Sequence, residues 1–327
     1  MTNNTIKFST IKKDVGKRLD IILSEKITNL TRSNLKKIIE SNRVKVDNII
    51  VDLPSKKLKY DQNISVYLNE NKISDLKPTN IKLDIIYEDK DLLIINKPVG
   101  MVVHPGAGNY KKTLVNALIY KYQNKLSNIN GDLRPGIVHR IDKETSGLLV
   151  VAKNNASHSN LGKQFSNHTI ERKYICLIWG VIRPLNGKIE TLISRSKKNR
   201  QLMSVSDVNG KRAVTNYKTI KVFNIKDVPK ISLLECELET GRTHQIRVHM
   251  KYRNAPLLGD KQYNKKNIKF KKINKQFERY LNGLKGQALH AKNLGFIHPT
   301  KKKFVSFDSE LSLEFKKLLH LLDKLNG

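Results

Sequence analysis

The sequence predicts an α+β protein of two units. A small unit of helices and short strands covers residues 15–75, and a larger one over residues 81–327 is built on a mainly antiparallel, mixed sheet. Three observations predict it. Strand-like apolar runs outnumber helical ones, and few neighbouring segments alternate as strand–helix–strand, which disfavours a doubly wound parallel sheet. The stretch from Asn69 to Asn80 is polar, carries Pro78 and reads as a linker. The chain has 327 residues, 39% hydrophobic and 28% charged, which is enough for two domains and too apolar for a disordered chain.

In the first unit, Gly16 to Ser24 opens a short amphipathic helix with Leu19, Ile22 and Leu23 on one face. Thr31 to Glu40 is a second helix, with Thr31 or Ser33 as N-cap and Leu35, Ile38 and Ile39 on its buried side. Short strands follow at Arg43–Val46 and Ile64–Leu68. This pattern resembles the S4 RNA-binding domain. The resemblance implies that the basic second helix, with Arg32, Lys36 and Lys37, faces RNA phosphates. The alternative is a generic small α+β unit with a solvated basic face. The usual Val-Asn-Gly turn is replaced by Val46-Asp47-Asn48, which leaves the turn geometry open.

In the second unit, strands are expected at Lys82–Tyr87, Leu92–Asn96, Gly147–Ala152, Tyr174–Trp179 and Ile231–Glu239. Helices are expected over Leu114–Tyr122 and Ala156–Phe165, with a short one after Thr243, whose side chain can cap it. Tyr263 to Lys285 is a lysine-rich insert carrying Lys265, Lys266, Lys269, Lys271, Lys272 and Lys275. It reads equally as an RNA-contacting loop or a drifted surface loop.

The formal net charge is +33, which points to a polyanionic partner, nucleic acid first. A solvated, lysine-rich surface left by coding bias is the alternative. The two cysteines, Cys176 and Cys236, sit in apolar segments without metal-ligand spacing, so a reducing compartment is expected. The N-terminus lacks the apolar core of a signal peptide, and no stretch has the length to span a membrane, so a cytoplasmic protein is expected.

The segment Arg134-Pro-Gly-Ile-Val-His-Arg-Ile-Asp142 leads through Lys143-Glu-Thr-Ser-Gly into the apolar run Leu148-Leu-Val-Val-Ala152. Arg140 and Asp142 are two apart, so in an extended segment they share a face. A carboxylate beside a guanidinium stays ionised and is a candidate nucleophile rather than an acid. The alternative is a turn-capping aspartate. Glu144 follows two residues later and raises the question of a glycosidase carboxylate pair. In Glu171-Arg-Lys-Tyr174, the ring of Tyr174 is either core or a platform for a flipped base. Gly241-Arg-Thr-His-Gln-Ile-Arg247-Val-His249 ends a strand and starts a helix. Arg247 then lies one turn into that helix, from which it can reach back into a cleft and pair with Asp142. Arg242 and His244 are candidate contacts to backbone or phosphate. Asn96-Lys97-Pro98 and Pro105-Gly106 shape a turn, and His104 is assigned no role.

The runs around Lys97, Asp142, Tyr174 and Arg247, and the late Leu289-His-Ala segment, resemble the RluA-type pseudouridine synthases. Ile141 stands where that family's His-Arg-Leu-Asp signature has leucine. The resemblance implies that Asp142 is the catalytic residue, that Tyr174 is the active-site tyrosine and that Arg247 pairs with the nucleophile. Arg140 would help flip the base. Gly100-Met-Val-Val-His-Pro-Gly106 and Arg134-Pro-Gly-Ile-Val-His-Arg140 look most like the RluD branch, which acts on the helix 69 stem-loop of large-subunit (23S) ribosomal RNA. The implied partner is that RNA or the pre-ribosomal large subunit, with the enzyme a monomer. The reaction needs no redox cofactor, ATP or metal. No Gly-x-x-x-x-Gly-Lys-[Ser/Thr] or His-Glu-x-x-His occurs, and Gly106-Ala-Gly108 lacks a third glycine, so neither a metal nor a nucleotide cofactor is expected. Three alternatives stand beside this reading: a transfer-RNA synthase of the same family, a hydrolytic N-glycosidase, and a non-catalytic RNA-binding factor for ribosome assembly.

Overall fold

The computed structural model describes residues 4–27, 30, 32–68, 76–106, 109, 111–123, 125–131, 134–264 and 274–326. Thr31, the side chain of Ser33, residues 69–75 of the linker and Lys265, Lys266, Lys269, Lys271 and Lys272 lie outside them.

The first unit is β1 (Asn4–Ser9), α1 (Leu19–Lys26), α2 (Arg32–Glu40), β2 (Val44–Val46), β3 (Ile49–Ile50) and β4 (Asn63–Leu68). Its sheet runs β1-β4-β2-β3, every pair antiparallel. Leu19, Ile22 and Leu23 of α1 and Leu35 and Ile39 of α2 pack on Val44, Val46, Ile64 and Val66, which face one side of the strands by their period of two. β1 joins the sheet ahead of the expected start at Val15. Its Ile6 and Phe8 alternate with polar residues and pack on the same core. The β2–β3 turn places both Asp47 and Asn48 at positive φ, 52° and 67°. This is the tight hairpin geometry that Asn and Asp tolerate in place of glycine. Asp47 also accepts hydrogen bonds from the Asn63 backbone and the Gln62 amide, tying the turn to β4.

The second unit continues with β5 (Ile85–Glu88), β6 (Leu92–Lys97), α3 (Leu114–Tyr122), β7 (Ser146–Ala152), α4 (Asn155–Ser166) and β8 (Glu171–Trp179). Then follow β9 (Asn186–Arg195), β10 (Met203–Ser206), β11 (Lys211–Phe223), β12 (Ile231–Leu238) and α5 (Gln245–Tyr252). α6 (Lys275–Asn282), β13 (Leu289–Ile297), β14 (Phe304–Asp308) and α7 (Leu313–Leu325) complete it. Ten strands form one sheet in the order β10-β9-β11-β12-β8-β13-β7-β6-β5, with β14 paired to β13. Among the described residues β7–β13 is its one parallel pair, so the sheet is mixed and mainly antiparallel.

Helices cover both faces of this sheet, which is why its central strands are apolar on both sides. Leu93 and Ile95 of β6 and Leu149 and Val151 of β7 pack with α3 and with Ile246 and Met250 of α5. Their neighbours Leu92, Ile94, Leu148 and Val150 pack on the opposite face with Leu161 of α4. Leu177, Trp179, Leu233 and Phe223 meet Phe277 of α6 and Phe315, Leu318 and Leu322 of α7. Truncating one fully buried side chain here, such as Leu149→Ala, costs about 2–5 kcal/mol.

Candidate active site

After Gly136, Ile137 makes one bridge to Val151 and the chain leaves the sheet until Ser146. Asp142 sits in this irregular loop ahead of β7, where its carbonyl accepts the Thr145 N–H at 3.1 Å. The alternation still holds over three residues. Ile141 is buried in the core, while Arg140 and Asp142 line a cavity of about 520 Å³. Two contacts fix the loop. Gly147, at φ 110°, lies so close to β13 that a Cβ there would stand 2.3 Å from the Ala291 oxygen. Lys97 is fully buried, and its ammonium donates to the carbonyls of Pro98, Met101 and Lys143 at 2.7, 2.9 and 3.2 Å. Burial pushes the Lys97 amine down to about 7, against the pull of Asp142. Lys97 thus shapes its turn and holds the residue after Asp142.

Arg247 approaches from α5. It is 3% exposed, and its Nη1 donates to Asp142 Oδ2 at 3.3 Å. Its Nε and Nη2 donate to Asp260 at 2.8 and 2.9 Å, and Nη2 also to Gln262 Oε1 at 2.7 Å. Burial lowers the Arg247 guanidinium, but Asp260 first and then Asp142 outweigh it and hold the group above its ordinary value. The guanidinium lies over the Tyr263 ring, 4.8 Å from its centroid. Asp260 is itself 2% exposed and accepts the backbone N–H groups of Gln262 and Tyr263.

Thr243 does not cap α5. The N-cap is His244, in the left-handed region at φ 57° and without a side-chain cap bond. Gln245 stabilises the turn instead. Its Oε1 accepts the Arg242 N–H and the Thr240 hydroxyl, and its amide donates to Val214 and Thr215. This places His244 Nδ1 2.8 Å from the Tyr263 hydroxyl and Nε2 3.9 Å from Asp142 Oδ1. The Tyr263 oxygen also accepts the Met203 N–H. Where the Tyr263 hydroxyl donates to Nδ1, the neutral imidazole carries its proton on Nε2, toward Asp142. Burial lowers the His244 pKa, favouring that neutral form.

Tyr174, in β8, is 8% exposed and lines the same cavity. Burial raises its phenol pKa; Arg172 opposes the rise and Asp142 adds to it. Arg242 lines the cavity too, its Nε held by the Arg212 carbonyl. Arg140 stands exposed at the mouth with Nη1 3.2 Å from His104 Nε2. Burial, then Arg140, lower the His104 imidazole to about 4, so it is the neutral acceptor. The structure therefore brings Asp142, Tyr174, Arg247, Arg140, Arg242 and His244 around one cavity in which Asp142 is the sole carboxylate among the described lining residues. Glu144 does not line this cavity; it lines a second, smaller one that shares Asp142, Arg140 and Arg247 with it. On the first unit, Lys36 and Lys37 are exposed, while Arg32 binds the buried carboxylate of Asp20 at 2.8 Å.

Sequence reasoning missed Asp260, Gln262 and Tyr263 as site residues. Their signal was faint: Gly259-Asp260, with the aspartate three residues before a tyrosine, beside the lysine-rich insert. The one group of metal-ligand side chains close together among the described residues is Asp89, Asp91 and His298. It lines neither cavity. His298 Nε2 donates to Asp89, and the two aspartates take further hydrogen bonds from Tyr87, Asn154, Ser157 and Thr300.

Known proteins share this arrangement's frame. A family model described as RNA pseudouridylate synthase matches residues 91–252, and an S4 domain model matches 17–64. Ribosomal large subunit pseudouridine synthase D of Zymomonas mobilis is 46% identical over 311 residues, 94% of each chain. An RNA pseudouridine synthase of Bacillus subtilis, YlyB, is 41% identical over 325 residues, 99% of this chain and 100% of that one. The solved structure of human RNA pseudouridylate synthase domain containing 1 superposes with a TM-score of 0.55 at 21% identity, covering 75% of this chain and 96% of its own. That likeness shows the catalytic fold, and the closer relatives show more: the chain belongs to the RNA pseudouridylate synthase family, with an S4 domain ahead of its catalytic domain.

Proposed function

We propose that the chain isomerises uridine to pseudouridine in large-subunit ribosomal RNA, in the helix 69 stem-loop, with Asp142 as the nucleophile. The observation that carries the reading is the lone Asp142 carboxylate, fixed by Arg247 in a basic cavity beside Tyr174. The Zymomonas relative's name and the RluD-like runs around His104 and Arg140 support the target.

A paired uridine cannot reach this cavity, so it must leave the stack. Arg140 at the mouth is placed to fill the vacated position, and Tyr174 receives the uracil ring. Asp142 attacks the ribose C1′ and the N-glycosidic bond breaks. The uracil turns in the pocket, C5 bonds to C1′ and the carboxylate leaves. Loss of the C5 proton and protonation of N1 complete an isomerisation with no net redox change. Arg247 stabilises the carboxylate as it leaves.

The units divide the work. The S4-like unit, with β1 added to the expected 15–75, and the surface lysines supply salt-sensitive phosphate affinity, and the unit over 81–327 supplies the chemistry. No helix among the described residues is long and apolar enough to cross a membrane. A monomer acting in the cytoplasm on free RNA or on the pre-ribosomal subunit completes the proposal. The test is to map pseudouridines by carbodiimide-dependent primer extension after incubating the protein with unmodified large-subunit and transfer RNAs. Modification in the helix 69 loop is expected. Modification confined to transfer RNA would overturn the target, and release of free uracil would overturn the isomerase reading in favour of hydrolysis.

A further inference from the structure

The charges lining the active-site cavity do not balance. Arg247 is met by Asp260 and Asp142, and Arg140 by the neutral His104. Arg172 and Arg242 have no carboxylate partner within 4 Å among the described residues. Arg172 is only 8% exposed, so its charge is largely removed from water. An unpaired buried charge costs several kcal/mol unless something compensates it.

The compensation in the protein is partial, because among the described residues only Nη2 of the guanidinium finds hydrogen-bond acceptors. Nη2 donates to the carbonyls of Leu238 and Glu239 at 3.1 and 3.2 Å. The Phe165 ring lies beneath, 5.7 Å from Cζ. Nε is buried and has no hydrogen-bond partner. Nη1 lies against Gly241, where a Cβ would come within 2.6 Å of it. Glycine at 241 therefore leaves room between Arg172 and Arg242, and all three residues line the cavity. Burial lowers the Arg172 pKa, Tyr174 opposes that shift, and Arg242 adds to it. The guanidinium is held still before any ligand arrives, which reduces the ordering cost of binding an anion.

We propose that Arg172 and Arg242, on either side of Gly241, form the seat of a phosphodiester that flanks the flipped-out uridine. The inference rests on the synthase reading and deepens it: the pocket grips the target nucleotide by its backbone as well as its base. The site takes one RNA phosphate oxygen on Nη1 of Arg172, with Arg242 closing from the rim. It contributes binding common to any target sequence.

The test uses the full chain and a stem-loop RNA in which the phosphates 5′ and 3′ of the modified uridine are replaced in turn by neutral methylphosphonates. At one of the two positions the wild-type KM should rise about tenfold with kcat within about twofold. Arg172→Gln should raise KM by a similar factor on the all-phosphate RNA and respond little further to the neutral linkage. Arg242→Gln, at a half-buried position where folding is safe, should show the same non-additivity, and it carries the test if Arg172→Gln does not fold. Wild-type turnover that is indifferent to both neutral linkages, or effects of variant and linkage that multiply, would overturn the phosphate seat alone. Wild-type protein that makes no pseudouridine on any RNA while still binding it would instead overturn the synthase reading on which the seat depends.

Discussion

Arg247 is bound more firmly to Asp260 than to Asp142. Two hydrogen bonds of 2.8 and 2.9 Å join it to Asp260, against one of 3.3 Å to Asp142. Asp260 fixes the fork, so Arg247 presents a single N–H to the candidate nucleophile and leaves the rest of that carboxylate free.

Asp260→Asn should therefore act at a distance. It keeps the volume, removes one of the two charges and lets the guanidinium turn toward Asp142. Single-turnover rates should fall about 100-fold, with RNA affinity within about twofold, because a misplaced positioning group costs transition-state stabilisation rather than binding. Arg247→Met should do at least as much. A normal rate in Asp260→Asn would show that the fork needs no second anchor.

Tyr263→Phe isolates the hydroxyl from the ring. The ring still lies under Arg247, but the Met203 N–H and His244 Nδ1 lose their common partner. Stability should drop by about 1–2 kcal/mol, since one backbone donor is left unsatisfied. The rate should fall less than in Asp260→Asn. A thermal melt and a single-turnover assay on the same preparation separate the two effects.

Acid should destabilise the catalytic domain through histidines held neutral. His249 is fully buried, bonded to the hydroxyls of Thr191 and Thr215, and burial lowers it to about 4. An unfolded histidine takes up its proton near 6.5. Between these values the unfolded chain binds more protons, so stability falls as pH drops from about 6.5 to 4 and is flat in this contribution above 6.5. A shift of this size corresponds to roughly 3 kcal/mol at the acid end. Urea midpoints from pH 7.5 to 4.5 should fall less steeply in His249→Gln than in the wild type, and equal slopes would contradict the assignment.

RNA affinity should be strongly salt-dependent. Lys36 and Lys37 are exposed on α2, with the Asp20–Arg32 pair at its start. Replacing both lysines with glutamine should reduce the slope of log affinity against log salt by about one per lost phosphate contact, with kcat unchanged. An unaltered slope would move the RNA path off this helix.

The candidate site was legible because its polar residues sit in contiguous runs that resemble a known family's motifs. Arg140 with Asp142, and Arg242 and His244 with Arg247, are separated by spacings that local geometry can interpret. Asp260 and Tyr263 were not, because their role is a side-chain contact across a loop that no periodicity reports. Thr243 looked like a cap by residue type, but the left-handed His244 turned the chain so that Gln245 took the bonds. The same division holds in the fold. β6 and β7 were visible as unbroken apolar runs, since helices cover both their faces. β9, β10 and β11 lie toward one edge of the sheet, where Lys188, Lys211, Lys218 and Lys221 interrupt the pattern. β13 was hidden by His290, a polar residue that is buried because Ser146 and Ser309 bond both its ring nitrogens.

The central claim is that Asp142 performs the isomerisation. Its most direct test is tritium release from C5-labelled uridine in unmodified large-subunit ribosomal RNA, comparing wild type with Asp142→Asn. The account predicts release by the wild type, none by the variant, no free uracil from either, and equal RNA binding by both. Release by Asp142→Asn at the wild-type rate would contradict it.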